Sequence, residues 1–150
     1  MIQFEHRIQI SRPVHQVFEF LADPRNFPKW QTGVVQSTIT SPGPIGLETT
    51  FDEVVKIMGW KVRTTCEITQ YESDRKMCFK ATSRPIAYAG QFSFEGGGNT
   101  TRLSVFGAGQ LRGLWRLAEP LFGPEVKKES AAELGKIKEI VESRAPAHQS

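Results

Sequence analysis

The chain passes from a strand into a helix within the stretch SRPVHQVFEFLADP, residues 11–24. Before this stretch every second residue falls on one face, a period that predicts a half-buried strand: Ile2, Phe4, His6, Ile8 and Ile10. Within it, apolar residues take up helical spacing at Val14, Val17, Phe18 and Leu21. Ser11 is the predicted N-cap, and Pro13 falls in the first turn, where its missing amide hydrogen costs nothing. Pro24 ends this helix, and residues 24–30 form only a second short turn because Pro28 interrupts them.

Beyond the two short helices the period changes twice more. Between Gly33 and Gly109 short apolar runs alternate with turn signals rich in Gly, Pro, Ser and Asp, which predicts an antiparallel meander of about six strands. After Gly113 helical spacing returns and predicts one long C-terminal helix, whose first part we expect Pro120 and the pair 123–124 to kink or break. An antiparallel sheet must bury one face, and this helix is its natural cover. The predicted fold class is therefore α+β.

Composition describes one ordinary domain. The chain has 150 residues, of which 39% are hydrophobic and 23% charged, and its formal net charge is +3. We expect a single domain over residues 1–144 and a flexible tail over residues 145–150. The small basic excess is not clustered, which argues against a nucleic-acid partner. No apolar run reaches the roughly 18 residues that span a bilayer, and the first residues lack the pattern of a signal peptide. The expected location is the cytoplasm, without integral membrane segments.

Several kinds of chemistry have no motif in this sequence. The three histidines, His6, His15 and His148, occupy a strand, a helix and the tail, so no metal site is expected. The glycine run 96–98 precedes a strand, which is the wrong context for a phosphate-binding loop. No nucleophile elbow is present. The sequence therefore predicts neither a cofactor nor a metal.

The stretch 11–24, followed by Phe27-Pro28-Lys29-Trp30, resembles the opening of the START-like, SRPBCC or polyketide cyclase/dehydrase superfamily. Residues 97–102 (GGNTTR) are similar to its turn before the last strand, and residues 133–138 (ELGKIK) to its C-terminal helix. The resemblance implies a helix-grip fold, in which a curved antiparallel sheet wraps around the long helix and leaves a deep cavity. It also implies a choice of roles: members carry lipids, hormones or polyketides, some catalyse cyclisation or dehydration, and others assist chaperones or enzyme maturation. Fold alone does not decide among these.

Hairpin geometry predicts which residues face inward. If Tyr71 lies opposite Lys76, Ile68 faces Phe79 and Cys66 faces Ala81, both apolar pairs suited to an inner face. The same register puts Cys78 opposite Thr69 on the other face, so the two cysteines are expected to be reduced. If Ile57 lies opposite Trp60 in the preceding hairpin, Glu53 becomes the one carboxylate on the inner face.

The inner face is mostly apolar with a few polar groups, as a small-molecule pocket requires. Because a buried carboxylate without a partner is costly, Glu53 is expected to raise its pKa or to find a donor in His6, Thr64 or Tyr88. Glu53, His6 and Tyr88 are the catalytic candidates. The predicted ligand-binding residues are His6, Phe51, Glu53, Val55, Trp60, Thr64, Cys66, Phe79, Tyr88, Phe92, Phe94, Leu103 and Leu121.

Three hypotheses follow. The first is a protein that binds or carries an apolar or aromatic small molecule, lipid-like or polyketide-like. The second is a cyclase- or dehydratase-type enzyme, in which Glu53 or His6 removes a proton next to a carbonyl and Tyr88 stabilises the enolate. The third is a module that acts on a protein partner, although Val54, Met58 and Phe106 provide few outward apolar side chains for an interface. Homodimerisation is left open.

Overall fold

The computed structural model describes residues 2–57, 59–81, 86–111 and 113–145 of the chain. Within these residues seven strands form one antiparallel sheet: β1 (Ile2–Ile10), β2 (Val34–Ile39), β3 (Thr50–Ile57), β4 (Trp60–Glu72), β5 (Lys76–Ala81), β6 (Ile86–Gly97) and β7 (Thr100–Leu111). The strand order is β1-β7-β6-β5-β4-β3-β2. The helices are α1 (Val14–Leu21), α2 (Phe27–Trp30) and α3 (Glu119–Glu142), with 3₁₀ turns at Pro24–Asn26 and Gly113–Ala118. The predicted α+β arrangement and its element order are confirmed. Of the predicted tail, residues 145–150, all but residue 145 lie outside the described residues.

The start of α1 differs from the prediction. Pro13, not Ser11, is the N-cap residue, and no side chain caps the helix. Ser11 lies two residues too early for its hydroxyl to cap the first amides. Its backbone N–H instead donates to Glu142 at 2.8 Å, while the Arg12 guanidinium donates to the carbonyls of Glu142 and Arg144. The stretch that opens the first helix therefore also holds the end of α3.

The predicted hairpin registers are correct in one case and partly correct in the other. Ile57 lies opposite Trp60, which places Glu53 opposite Thr64. Ile68 faces Phe79 and Cys66 faces Ala81, also as predicted. Nearer the turn the prediction is wrong, because the register shifts between Ile68 and Gln70. This irregularity places Tyr71 opposite Met77 and Gln70 opposite Cys78, and both cysteines are free.

The C-terminal helix is continuous, so of the two effects expected from its prolines, a kink or a break, the break is wrong. Pro120 lies in the first turn of α3, where no amide hydrogen is needed. Pro124 lies inside the helix and removes one amide donor near its start, which does not end the helix. Further along, Leu134, Ile137 and Val141 are buried and belong to the main hydrophobic core with side chains of the sheet. The apolar spacing that predicted the helix is thus the spacing of its buried face.

Candidate functional site

A cavity of about 230 Å³ lies between the sheet and α3. Most of its wall is apolar, and three glycines, Gly90, Gly107 and Gly109, leave the strands β6 and β7 without side chains there. An engineered apolar cavity of about 150 Å³ is known to hold benzene, so this cavity is large enough for a somewhat bigger apolar molecule. Its principal apolar lining side chains are Ile2, Phe4, Trp30, Val34, Val55, Phe79, Phe92, Val105, Leu111, Val126 and Leu134.

Tyr88 is the polar side chain that the sheet's inner face presents to the cavity. Behind it, at 0% exposure, lie Glu53 and Thr64. The Tyr88 hydroxyl donates a hydrogen bond to Glu53 Oε1, and it lies 3.2 Å from Thr64 Oγ1 and 3.4 Å from Cys66 Sγ. The Cys66 thiol also donates to Glu53 Oε1 at 3.4 Å. Strands β3, β4 and β6 thus bring four polar side chains together at one point of an apolar face.

Burial dominates the electrostatics of this cluster. Desolvation raises the pKa of Glu53, although the hydrogen bonds from Tyr88 and Cys66 act in the opposite direction. Desolvation, reinforced by the Glu53 carboxylate, raises the pKa of the Cys66 thiol to about 12 and that of Tyr88 well above its usual value. Within the described part of the chain Glu53 Oε2 has no hydrogen-bond partner. Cys66 and Tyr88 are therefore neutral hydrogen-bonding groups at physiological pH.

A second polar group lines the cavity from α3. Glu129, Ser130 and Glu133 contribute to its wall, and the Ser130 hydroxyl donates to the carbonyl of Lys127 at 2.9 Å. His6 Nε2 lies 2.9 Å from the same hydroxyl oxygen. With the serine hydrogen on the Lys127 carbonyl, the His6 tautomer that carries its hydrogen on Nε2 donates to the serine oxygen. His6 is thus tied to the helix.

The carboxyl of Glu133 is partly shielded from water. Its Oε1 accepts a hydrogen bond from the backbone N–H of Thr32 at 3.0 Å. Desolvation, together with the nearby charge of Glu129, raises the pKa of Glu133 to about 7, against the lowering effect of the Thr32 hydrogen bond. Two carboxyl groups one helical turn apart therefore face a largely apolar cavity.

The structure divides the predicted ligand-binding residues into three groups. Val55, Phe79, Tyr88 and Phe92 line the cavity. A second group is buried in the core or behind the cavity wall and does not line the cavity: Phe51, Glu53, Thr64, Cys66, Phe94 and Leu103. His6, which is half-buried, does not line the cavity either, because its ring contacts Ser130. Trp60 and Leu121 do not line the cavity and are 69% and 76% exposed. Trp60 stands at the tip of its hairpin, and Leu121 lies on the first turn of α3, outside the buried stripe.

Of the three polar groups proposed as donors to Glu53, only Tyr88 has that contact. The catalytic candidates do not meet around one point either, since His6 bonds to α3 and Glu53 lies behind Tyr88. The α3 side chains Glu129, Ser130 and Glu133 were not among the predicted site residues. Their helical spacing on the face next to Leu134 could have predicted that they face the cavity. Glycines at the inward positions of β6 and β7 were a second one.

Some features bear on the other hypotheses. Phe106, proposed as part of an outward apolar surface, is 38% exposed, and Met58 lies outside the described residues. No described helix is both long and apolar enough to traverse a bilayer. Among the described side chains no group of three or more His, Cys, Asp or Glu is arranged to hold a metal ion.

Comparisons with known proteins agree with this architecture. The model of the polyketide cyclase / dehydrase and lipid transport family matches residues 1–142. An uncharacterized protein of Mycobacterium tuberculosis is 30% identical over 121 residues, which cover 81% of this chain and 67% of that protein. The Zhui aromatase/cyclase from Streptomyces sp. R1128 superposes with a TM-score of 0.78 at 16% identity, covering 95% of this chain and 96% of that one. A START superfamily protein from Mycobacterium smegmatis gives a TM-score of 0.73 at 14% identity, with 95% and 99% coverage.

Proposed function

Because the chain belongs to the polyketide cyclase / dehydrase and lipid transport family, we propose that it binds an apolar or aromatic small molecule in the cavity between the sheet and α3. The observation that carries this proposal is the cavity itself, about 230 Å³ in volume with a largely apolar wall. Its affinity would come from burying apolar ligand surface, at about 25 cal/mol per Å² before the costs of ordering. The few polar groups, Tyr88 above all, would orient the ligand.

The packing around the cavity supports a preformed site. Trp30 is 2% exposed and packs edge-on against Phe27 and Phe92, with ring centroids 5.7 Å away in both cases. Phe79 is held by Phe92 at 5.9 Å and by Tyr88 at 6.3 Å. Aromatic side chains that are locked by their neighbours lose little freedom when a ligand arrives. The wall therefore favours binding without rearrangement.

The geometry gives less support to proton-transfer catalysis by Glu53, the predicted base. A general base must come within hydrogen-bond reach of the proton that it removes. Glu53 does not line the cavity, and its Oε1 already accepts hydrogen bonds from Tyr88 and Cys66. The Tyr88 hydroxyl, predicted to stabilise the enolate, already donates its hydrogen to Glu53. Binding of a ligand, for carriage or sensing, therefore remains the proposed function.

Native mass spectrometry of the protein, purified gently from its own cells, tests the proposal. We expect a fraction of the molecules to carry one apolar passenger. The matched control is Gly109→Leu, because a Cβ at Gly109 would make only ordinary contacts, 3.4 Å to Tyr88 and 3.7 Å to the carbonyl of Ala87, while a larger side chain would occupy the cavity. If the wild-type protein is empty and also fails to bind any apolar probe in vitro, the proposal is wrong.

A further inference from the structure

Among the described residues, two side-chain hydroxyl groups line the cavity, those of Tyr88 and Ser130, and their hydrogens are already used within the protein. Tyr88 donates its hydrogen to Glu53, and Ser130 donates its hydrogen to the carbonyl of Lys127. Each hydroxyl group has a single hydrogen, so what it offers to a ligand is an oxygen that accepts. The remaining acidic side chains of the wall, Glu129 and Glu133, are acceptors when ionised.

The described lining residues that carry hydrogen-bond donors do not outweigh these acceptors. The indole nitrogen of Trp30 is fully buried, without a partner among the described residues, so it is not open to the cavity. Lys56 has an exposed side chain and follows the inward Val55 on its strand, where it lies opposite Lys61. Gln31 and Gln110 also border the cavity, but an amide both donates and accepts and therefore does not discriminate.

The surroundings of Tyr88 explain why its hydrogen stays on Glu53. Among the described residues, three side-chain atoms lie within hydrogen-bond distance of the phenol oxygen: the Glu53 carboxyl oxygen, Thr64 Oγ1 and Cys66 Sγ. The Glu53 carboxyl oxygen accepts the Tyr88 hydrogen, whereas Thr64 and Cys66 each carry a hydrogen of their own to donate. The hydrogen is thus directed away from the cavity.

We propose that the ligand is an apolar molecule that carries a hydrogen-bond donor, a hydroxyl or a protonated amine, and that apolar carboxylates are excluded. This inference rests on the proposed function and deepens it, because it names the chemical class that the same cavity takes. A carboxylate in this space would meet oxygen acceptors and the carboxyl groups of α3. Among the described lining side chains, the donors open to it are the two glutamine amides and the exposed Lys56 at the border of the cavity, so it would lose most of its hydration without full compensation. A hydroxyl or ammonium group would satisfy Tyr88, Ser130 or Glu133.

The test compares five probes with one ring system by equilibrium titration at pH 8: naphthalene, 2-naphthol, 2-methoxynaphthalene, 2-naphthylmethylamine and 2-naphthoate. We expect 2-naphthol to bind about 3- to 10-fold more tightly than 2-methoxynaphthalene, the range given by one net hydrogen bond. We expect 2-naphthylmethylamine to bind more tightly than naphthalene, and 2-naphthoate about tenfold more weakly than naphthalene or not at all.

Two variants locate the effect. In Tyr88→Phe the ratio between 2-naphthol and 2-methoxynaphthalene should fall toward one. In Glu133→Gln the preference for 2-naphthylmethylamine over 2-naphthoate should shrink. The order of the five probes in the wild-type protein tests the inference even if a variant fails to fold.

The outcomes separate the two proposals. If naphthalene binds but 2-naphthoate binds as tightly, or 2-methoxynaphthalene matches 2-naphthol, the inference about ligand class is overturned and the cavity remains a binding site. If no probe binds, naphthalene included, the proposed function fails and the inference fails with it. If the probes bind equally to Gly109→Leu, the binding lies outside the cavity and both are overturned.

Discussion

Gly90 and Gly107 lie directly opposite each other on the neighbouring strands β6 and β7. Each also has a phenylalanine opposite it on its other side, Phe79 on β5 and Phe4 on β1. The two rings fold over the glycines: a Cβ built on Gly90 would lie 2.5 Å from the Phe79 ring, and one on Gly107 2.4 Å from the Phe4 ring. In this row of four residues the two phenylalanine rings occupy the space above the two glycines. Any side chain on either glycine would therefore displace a ring that lines the cavity.

Gly90→Ala should therefore cost more stability than Gly107→Ala. Phe79 is buried and packed against other aromatic rings, so overpacking at Gly90 should lower the free energy of unfolding by about 1–3 kcal/mol. Phe4 is only half-buried and lines the cavity, so its ring can rotate into free space. Urea denaturation of both variants measures the difference.

The control for this comparison is Gly135→Ala. A Cβ on Gly135, an exposed residue of α3, meets nothing within 4 Å, and alanine is the better helix former by about 0.5–1 kcal/mol. We expect this variant to be slightly more stable than the wild-type protein. Equal stability of the two sheet variants would contradict the difference assigned to Phe79 and Phe4.

Filling the cavity should separate binding from folding. In Gly109→Leu the added side chain begins with ordinary contacts and extends into the space between sheet and helix. We expect loss of apolar-probe binding, by more than about tenfold in Kd, with a far-UV circular dichroism spectrum like that of the wild-type protein. Retention of full affinity by a folded variant would show that probes bind elsewhere.

The alternation of apolar residues was sufficient to predict the sheet, and the tight turns its meander. The register of the β3–β4 hairpin followed from Ile57 opposite Trp60, and it placed Glu53 inside correctly. The next hairpin was half wrong, because the irregularity between Ile68 and Gln70 adds a residue to one strand without a glycine or proline to mark it. The alternation of apolar residues thus predicts which side chains face inward, up to the point where an unmarked register shift changes the pairing.

The site was harder to predict than the fold. A residue that faces inward does not necessarily line the cavity. Phe51 and Phe94 face inward but belong to the hydrophobic core, because α1 and α2 cover their end of the sheet. Phe18 of α1, for example, packs on Phe94 with a centroid distance of 5.1 Å. Where the helix stands away from the sheet depends on tertiary packing. Strand alternation contains no information about that distance, so Glu129 and Ser130 were not identified.

The Tyr88–Glu53 hydrogen bond should show strong coupling in a double-mutant cycle. Tyr88→Phe leaves a buried carboxyl group with only the Cys66 thiol as donor, which should lower the free energy of unfolding by about 1–3 kcal/mol. Glu53→Leu combined with Tyr88→Phe removes both polar partners and should be less destabilising than the sum of the single variants. Additive effects would mean that the bond contributes nothing to stability. The measurement is urea denaturation of the four proteins at one pH.

The two cysteines should differ in reactivity toward a thiol reagent. Cys66 is fully buried, and desolvation raises the pKa of its thiol to about 12, so almost no reactive thiolate exists at pH 8. Cys78 is partly exposed, and its pKa is raised chiefly by burial. We expect slow modification of Cys78 and none of Cys66 in the native protein. Modification of both in urea is the control, and rapid labelling of native Cys66 would contradict its burial.

Glu133 should make stability depend on pH. Burial raises its pKa in the folded protein from 4.5 to about 7, so between these values the folded state holds a proton that the unfolded state has lost. Stability is therefore greatest at low pH within this window and falls as pH rises from about 4.5 to about 7, by at most about 3 kcal/mol. Glu133→Gln keeps an acceptor for the Thr32 N–H and removes the titration.

Urea denaturation at intervals from pH 4.5 to 8 measures both proteins. His15, whose pKa is raised chiefly by its hydrogen bond to Asp74, also favours the folded state at lower pH, and Glu142, whose pKa is lowered chiefly by Lys138, has the opposite effect. Both groups are present in each protein, so the difference between the two pH profiles isolates Glu133. We expect this difference to favour the variant increasingly as pH rises and to become constant above about pH 7. Parallel profiles would mean that Glu133 is solvated like an ordinary surface carboxylate, and the ammonium preference proposed for the cavity would then lose its buried counter-charge.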